Sequence, residues 1–193
     1  MKKIEDLWQL LKNVELVQVR PIEMEALYKH CFEFKNPLIV EIGSAHGASS
    51  IILAEAAKEL NGHLICIDSF PEDYYGQEKF GSYGKKQFIK NMKPYAFEFL
   101  NLSSSEAIGG VRQVVKEVGE IDVLFIDGNH DYEAVKEDLN LYYPLVAQRG
   151  YIGMHDYFNV AFGVQKAANE FFFEKGNYTG PFQYWDLAVF KKL

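Results

Sequence analysis

The period of the apolar positions changes along this chain. Near the N-terminus Ile4, Leu7, Leu10 and Leu11 recur at helical spacing, and Pro21 to Phe34 reads as a second helix closing near Asn36-Pro37. After Pro37 the pattern alternates. Leu38 to Ile42 is a short, β-branched apolar run between Pro37 and Gly43, which predicts a buried parallel strand. Further strands are predicted at His63–Asp68, Phe97–Leu102, Ile121–Ile126 and, after Arg149-Gly150, Tyr151–Met154. Helical spacing fills the intervals: Ala48–Leu60 (closed by Asn61-Gly62), Tyr83–Met92, Ser105–Val118, Tyr132–Val146 and Val164–Phe173. Tyr178–Trp185 and Leu187–Phe190 read as closing strands. Alternating strands and helices predict an α/β, doubly wound, mostly parallel sheet with helices on both faces. No repeat or Pro/Gly/Ser-rich linker divides the chain, so one domain is expected, residues 37–193, with a helical preface, residues 1–36.

Composition narrows the classes. At 193 residues and 48% hydrophobic, the chain can bury a core and is no disordered linker. Its formal net charge of −7 is a poor start for gripping a phosphate backbone and suits a ligand that carries positive charge. Cys31 and Cys66 each sit in an apolar run, which argues against a disulfide scaffold or a zinc site. The N-terminus lacks the uninterrupted apolar stretch of a signal peptide, and nothing approaches the ~18 to 20 apolar residues that cross a bilayer. The expectation is a soluble, cytoplasmic protein without membrane or nucleic-acid partners.

In open parallel sheets ligands bind beyond the carboxyl ends of the strands, near the switch point. The first predicted strand runs into Glu41-Ile42-Gly43-Ser44-Ala45-His46-Gly47, where two glycines allow positive φ and close backbone approach. This is not the three-glycine dinucleotide fingerprint, and Glu41 would repel a pyrophosphate but not an ammonium or sulfonium. A tight turn with a buried or capping Glu41 fits the local motif equally well. Asp68 ends the second strand, where a carboxylate accepts from both hydroxyls of a ribose; a turn or N-cap aspartate is the plainer reading. The interval between the glycine turn and Asp68 matches one adenosine moiety. The fourth strand ends in Asp127-Gly128-Asn129-His130-Asp131 and the fifth in His155-Asp156. Neighbouring strand ends lie about 5 Å apart, so Asp127, His130, His155 and Asp156 can converge, with Asp131 free to cap the next helix. Two carboxylates and an imidazole can hold a divalent cation, and a histidine beside them can act as general base.

With these residues in view, the chain resembles the class I S-adenosylmethionine-dependent methyltransferases. The stretch LFIDGNHDYEAVKEDLNLYYPLVAQRGYIGMHDY is similar to the branch that includes macrocin-type sugar O-methyltransferases, with its I-D-G-x-H-x-Y-x-x-V-x-x-D run and later H-D pair. The resemblance spans about Pro37 to Leu193. It implies a Rossmann-like seven-stranded sheet with an antiparallel C-terminal edge hairpin and S-adenosylmethionine as cofactor. Glu41, Gly43, Ser44 and Gly47 would line the methionine and ribose part, Asp68 the ribose, and Ser104 or Ser105 the adenine. Asp127 would face both cofactor and metal, with Asp156 and, in place of the usual acid, His155 as further ligands to Mg²⁺, Mn²⁺ or a transition metal. His130 stands at the position of the base. A small-molecule hydroxyl acceptor follows, and a homo-oligomer stays open. Arg149 replaces the first glycine of a usual pair, which leaves the turn to Gly150. Pro71 to Gly84 is either a lid or a surface loop, and Phe171-Phe172-Phe173 is expected in the core. The rival readings are a nicotinamide-dependent oxidoreductase, which lacks its three-glycine turn here, and a non-catalytic protein that keeps the fold.

Overall fold

The computed structural model describes residues 1–72 and 81–193. The apolar run Leu38–Ile42 forms β1, buried along its whole length. It pairs in parallel with β2 (His63–Ile67) on one side and β4 (Ile121–Ile126) on the other. Parallel pairing continues to β3 (Glu98–Leu100) and β5 (Val146–Met154), while β7 (Leu187–Lys192) and β6 (Tyr178–Tyr184) add an antiparallel hairpin. The order is β3-β2-β1-β4-β5-β7-β6. The chain therefore winds outward from β1 and returns to β1's other side, which opens a crevice between the ends of β1 and β4.

Side-chain alternation divides the core in two. Ile39, Leu64, Cys66, Val123 and Phe125 pack with α1 (Ile4–Leu10), α2 (Pro21–Cys31), α3 (Ala48–Leu60) and α4 (Ser82–Met92). Leu38, Val40, Ile42, Ile65 and Ile126 pack with α5 (Ser104–Val118), α6 (Tyr132–Tyr142) and α7 (Val164–Lys175). Leu7, Leu11, Met24 and Leu27 belong to the first of these clusters, so the N-terminal helices share the sheet's own core. No described helix is long and apolar enough to cross a membrane.

Three predicted boundaries move by three residues or more. The second helix stops at Cys31, and Asn36 takes φ +51 before the sheet begins. The sixth stops at Tyr142 in a 3-10 turn, Tyr143–Leu145, because Pro144 has no N–H to continue the ladder. β5 begins at Val146, well before Tyr151, with a register shift opposite Ile121 to Val123. Its turn is made by Arg149, at φ +69; Gly150 serves instead to clear Val146, whose Cγ1 would lie 2.7 Å from an added Cβ. Phe171 and Phe172 are core, whereas Phe173 is 84% exposed. Of the expected lid, residues 73–80 lie outside the described residues.

Candidate active site

The crevice holds a cavity of about 460 Å³, walled by the ends of β1, β2, β4 and β5 and by the starts of α5 and α6. Its first wall is the glycine turn. Gly43, at φ +87, donates to Ile67 O at 2.9 Å, and an added Cβ would lie 2.0 Å from Asp127 O. Asp127 N in turn donates to Ile42 O at 2.7 Å. The chain thus passes between β1 and β4 where only a glycine fits.

Asp68 staples this turn. Its Oδ2 accepts from Ser44 N and Ala45 N, both at 2.9 Å, and its Oδ1 from Phe70 N at 2.7 Å. Burial raises its pKa, against the pull of those three amides. Asp68, Gly43 and Ser44 all line the cavity.

Glu41 does not. Strand alternation turns it to the α3 side, fully buried, where it accepts from Ser44 Oγ at 2.9 Å, Ser49 Oγ at 2.6 Å and Ser50 Oγ. Its expected place against the cofactor is thus corrected: the carboxyl braces the turn from beneath. Gly47 is corrected likewise. It is the N-cap of α3 at φ +88, covered by Phe88 and Met92 rather than facing the cavity. Burial pushes the Glu41 carboxyl up to about 7 against the serine hydroxyls. A raised folded pKa makes stability fully present below the unfolded value of 4.5 and lost as pH rises through about 7. We expect denaturation midpoints to reveal a loss of about 3 kcal/mol from this group between pH 4.5 and 8. Glu41→Gln should flatten that slope; an unchanged slope would refute the assignment.

The ends of β4 and β5 gather further charged residues. His130 Nε2 lies 3.5 Å from Asp127 Oδ1 and 3.2 Å from Asp156 Oδ2, and these three donor atoms all fall within 4.8 Å of one another. His130 Nε2 is buried with no hydrogen bond in line, and the Phe162 ring lies against its ring, tilted by 30° with centroids 4.5 Å apart. Asp156 sits at φ +53, a conformation that aspartate tolerates and that collects at functional sites. Two carboxylate oxygens and an imidazole nitrogen at this spacing fit one divalent cation.

His155 stands behind them. Its Nδ1 is 3.3 Å from both Asp127 Oδ1 and Asp156 Oδ2, and its Nε2 is 3.5 Å from Glu23 Oε2 of α2. Burial disfavours its charge, yet Asp127, Asp156 and Glu23 together lift its pKa far above the imidazole range. The donor atoms that gather within 4.8 Å are those of Asp127, His130 and Asp156, and His155, expected as a further ligand, instead lies against both carboxylates and orders them. Burial alone would raise Asp127, but the His155 and His130 imidazoles outweigh it and hold the carboxyl at about 2.

Some of the site was invisible from motifs. Glu23 accepts from Arg20 N at 2.6 Å and Asp186 N at 3.0 Å, and only its capping-box spacing marked it. Leu16, Gln18 and Val19, from the connection between α1 and α2, line the cavity, and Tyr83 Oη donates to Glu15 of the same connection. Ser104 and Ser105 line the cavity; the Ser104 hydroxyl donates to Asp138, which lies in the motif run and was given no role there. Asp131 is the N-cap residue of α6.

The family described as "methyltransferase domain" matches residues 40–157, which take in the glycine turn, Asp68, Asp127, His130 and Asp156. The chain belongs to the methyltransferase domain family. An uncharacterized protein of Acanthamoeba polyphaga mimivirus, R132, is 35% identical over 134 residues, covering 65% of this chain and 54% of that protein. The methyltransferase chain therefore spans about half the length of this relative. Among solved structures, the O-methyltransferase NovP superposes with a TM-score of 0.69 at 18% identity, over 91% of this chain and 81% of its own. MycE methyltransferase of the mycinamycin biosynthetic pathway, solved with Mg, SAH and mycinamycin VI, gives 0.66 at 11% identity, over 99% of this chain and 53% of its own. These likenesses establish the fold: a methyltransferase sheet of seven strands with an antiparallel C-terminal hairpin.

Proposed function

We propose that this methyltransferase domain binds S-adenosylmethionine in the cavity and methylates a hydroxyl oxygen of a small molecule, a sugar being the favoured class. The observation that carries the reading is the convergence of Asp127, His130 and Asp156 in a cavity that is also lined by the Asp68-stapled glycine turn. With three amides already bound, Asp68 retains on Oδ1 one acceptor site of its ~4 for a ribose hydroxyl, and the backbone at Gly43 admits the cofactor's methionine arm. A cavity bordered by carboxylates favours a sulfonium over a pyrophosphate. The Mg and SAH held by MycE, a protein of the same fold, agree with this choice of groups.

When bound, the cofactor supplies a methyl carbon already activated by positive sulfur, and a divalent cation supplies Lewis acidity towards a hydroxyl. The chain's own part is alignment and charge. The Asp127 carboxyl is held ionised by the His155 and His130 imidazoles, His155 Nδ1 also faces Asp156 Oδ2 at 3.3 Å, and His130 Nε2 would complete the donor set. Phe162 packs against the His130 ring and helps to fix its position. Because one nitrogen cannot both ligate and take a proton, we assign His130 to the cation rather than to the base role that the resemblance implies.

Calorimetric titration with S-adenosylhomocysteine and with NAD is expected to give binding of the first only. Mn²⁺ binding followed by electron paramagnetic resonance should weaken by about tenfold or more in His130→Ala. Unchanged Mn²⁺ affinity with lost turnover would return His130 to the base role, and tight NAD binding would sink the methyltransferase reading.

A further inference from the structure

We propose that Asp138 is the specificity residue for the nucleobase, accepting a hydrogen bond from the exocyclic amino group of adenine; this rests on the methyl-donor reading above. Asp138 lies on α6, only 3% exposed, yet forms part of the cavity wall beside Ser103, Ser104 and Ser105. Its Oδ1 accepts from Ser104 Oγ, and among the described residues that hydroxyl is the carboxyl's hydrogen-bonding partner. Ser104 is itself fixed, since the buried Tyr142 hydroxyl donates to Ser104 O at 2.6 Å. The arrangement holds one carboxylate oxygen in place and leaves the other to a donor arriving from the cavity.

A buried carboxylate that lacks its full set of donors is costly, and a ligand N–H offsets that cost. Burial lifts its pKa to about 6 while Ser104 pulls the other way, so at neutral pH the group is chiefly an acceptor. With the ribose beside Asp68 at the end of β2, the base extends towards α5 and α6, which pack on the same face of the sheet. Adenine presents an amino group there. Hypoxanthine or guanine presents a carbonyl oxygen, which an ionised carboxylate repels.

The probes are S-adenosylhomocysteine and its deaminated counterpart, S-inosylhomocysteine, which differ only at this amino group and the adjacent ring nitrogen. The native protein should bind the adenosyl compound about 10- to 100-fold more tightly, as befits a hydrogen bond to a charged acceptor. Asp138→Ala should bring the two affinities within about threefold. Asp138→Asn, whose amide can also donate to a carbonyl, should lower or invert the preference, and it carries the test if the alanine variant does not fold. The ratio, unlike a stability measurement, does not move for a merely structural residue. A native preference that survives in Asp138→Asn or Asp138→Ala, or an absence of preference in the native protein, overturns the assignment. Failure of the native protein to bind S-adenosylhomocysteine at all overturns the methyl-donor reading and the assignment with it.

Discussion

Gly43→Ala is expected to lower the melting temperature by about 5–15 °C and to abolish binding of S-adenosylhomocysteine. The added methyl meets Asp127 O at 2.0 Å, Asp127 C at 2.4 Å and Gly128 N at 2.7 Å. All three are backbone atoms of the next strand end, so no side-chain rotation relieves the clash. The φ of +87 adds the cost of a left-handed conformation for a residue with a Cβ. Together these terms amount to about 2–5 kcal/mol, and a chain of this size loses about 2–4 °C per kcal/mol. Spreading β1 from β4 also pulls the turn off Asp68 and moves Asp127, so binding fails with stability. Gly109→Ala is the control. It makes the same chemical change inside α5, with open space around the new methyl, and should stabilise by up to about 1 kcal/mol. Scanning calorimetry of both variants checks the contrast; a neutral Gly43→Ala would mean that the two strand ends are not packed as described.

Asp127→Asn is expected to weaken Mn²⁺ binding by more than about 100-fold and to cost about 2 kcal/mol of stability near neutral pH. The carboxylate does two things at once. It would offer an oxygen to the proposed cation, and it pairs with His155 Nδ1 at 3.3 Å. An amide keeps the shape and loses the charge. The sign with pH follows from the depressed pKa: Asp127 titrates at about 2 in the fold against 3.8 unperturbed, so its contribution is complete above about pH 4 and disappears as pH falls through 2. His155, shifted upward, contributes in the opposite sense, with stability complete below 6.5 and retained far into the alkaline range. Urea denaturation between pH 2 and 7 should therefore show an acid limb in the native protein that flattens in Asp127→Asn. An identical acid limb in both proteins would show that the two imidazoles do not hold Asp127.

Hydrophobic spacing alone determined most of the architecture. The β1, α3 and β4 boundaries read from the sequence agree with the structure, because a fully buried strand leaves an uninterrupted apolar run and its flanking Pro, Gly and Asn mark the ends. The strand-end acids were legible for the same reason: a carboxylate directly after such a run has few places to go except the rim of the sheet. Even the direction of Glu41 was available in principle, since it shares the parity of the buried, α3-facing Ile39.

What the tertiary structure decided are the relations between elements far apart in the chain. Glu23 meets His155, and Ser104 meets Asp138, through packing that no local period encodes. That packing changed the chemistry. His155 lies among three carboxylates, Asp127, Asp156 and Glu23, which raise its pKa, whereas the His130 nitrogen is buried between two aspartates, where we propose that it serves a cation. A sequence names the titratable groups, but protonation depends on the charges and burial each group meets in space, and only the folded chain sets those.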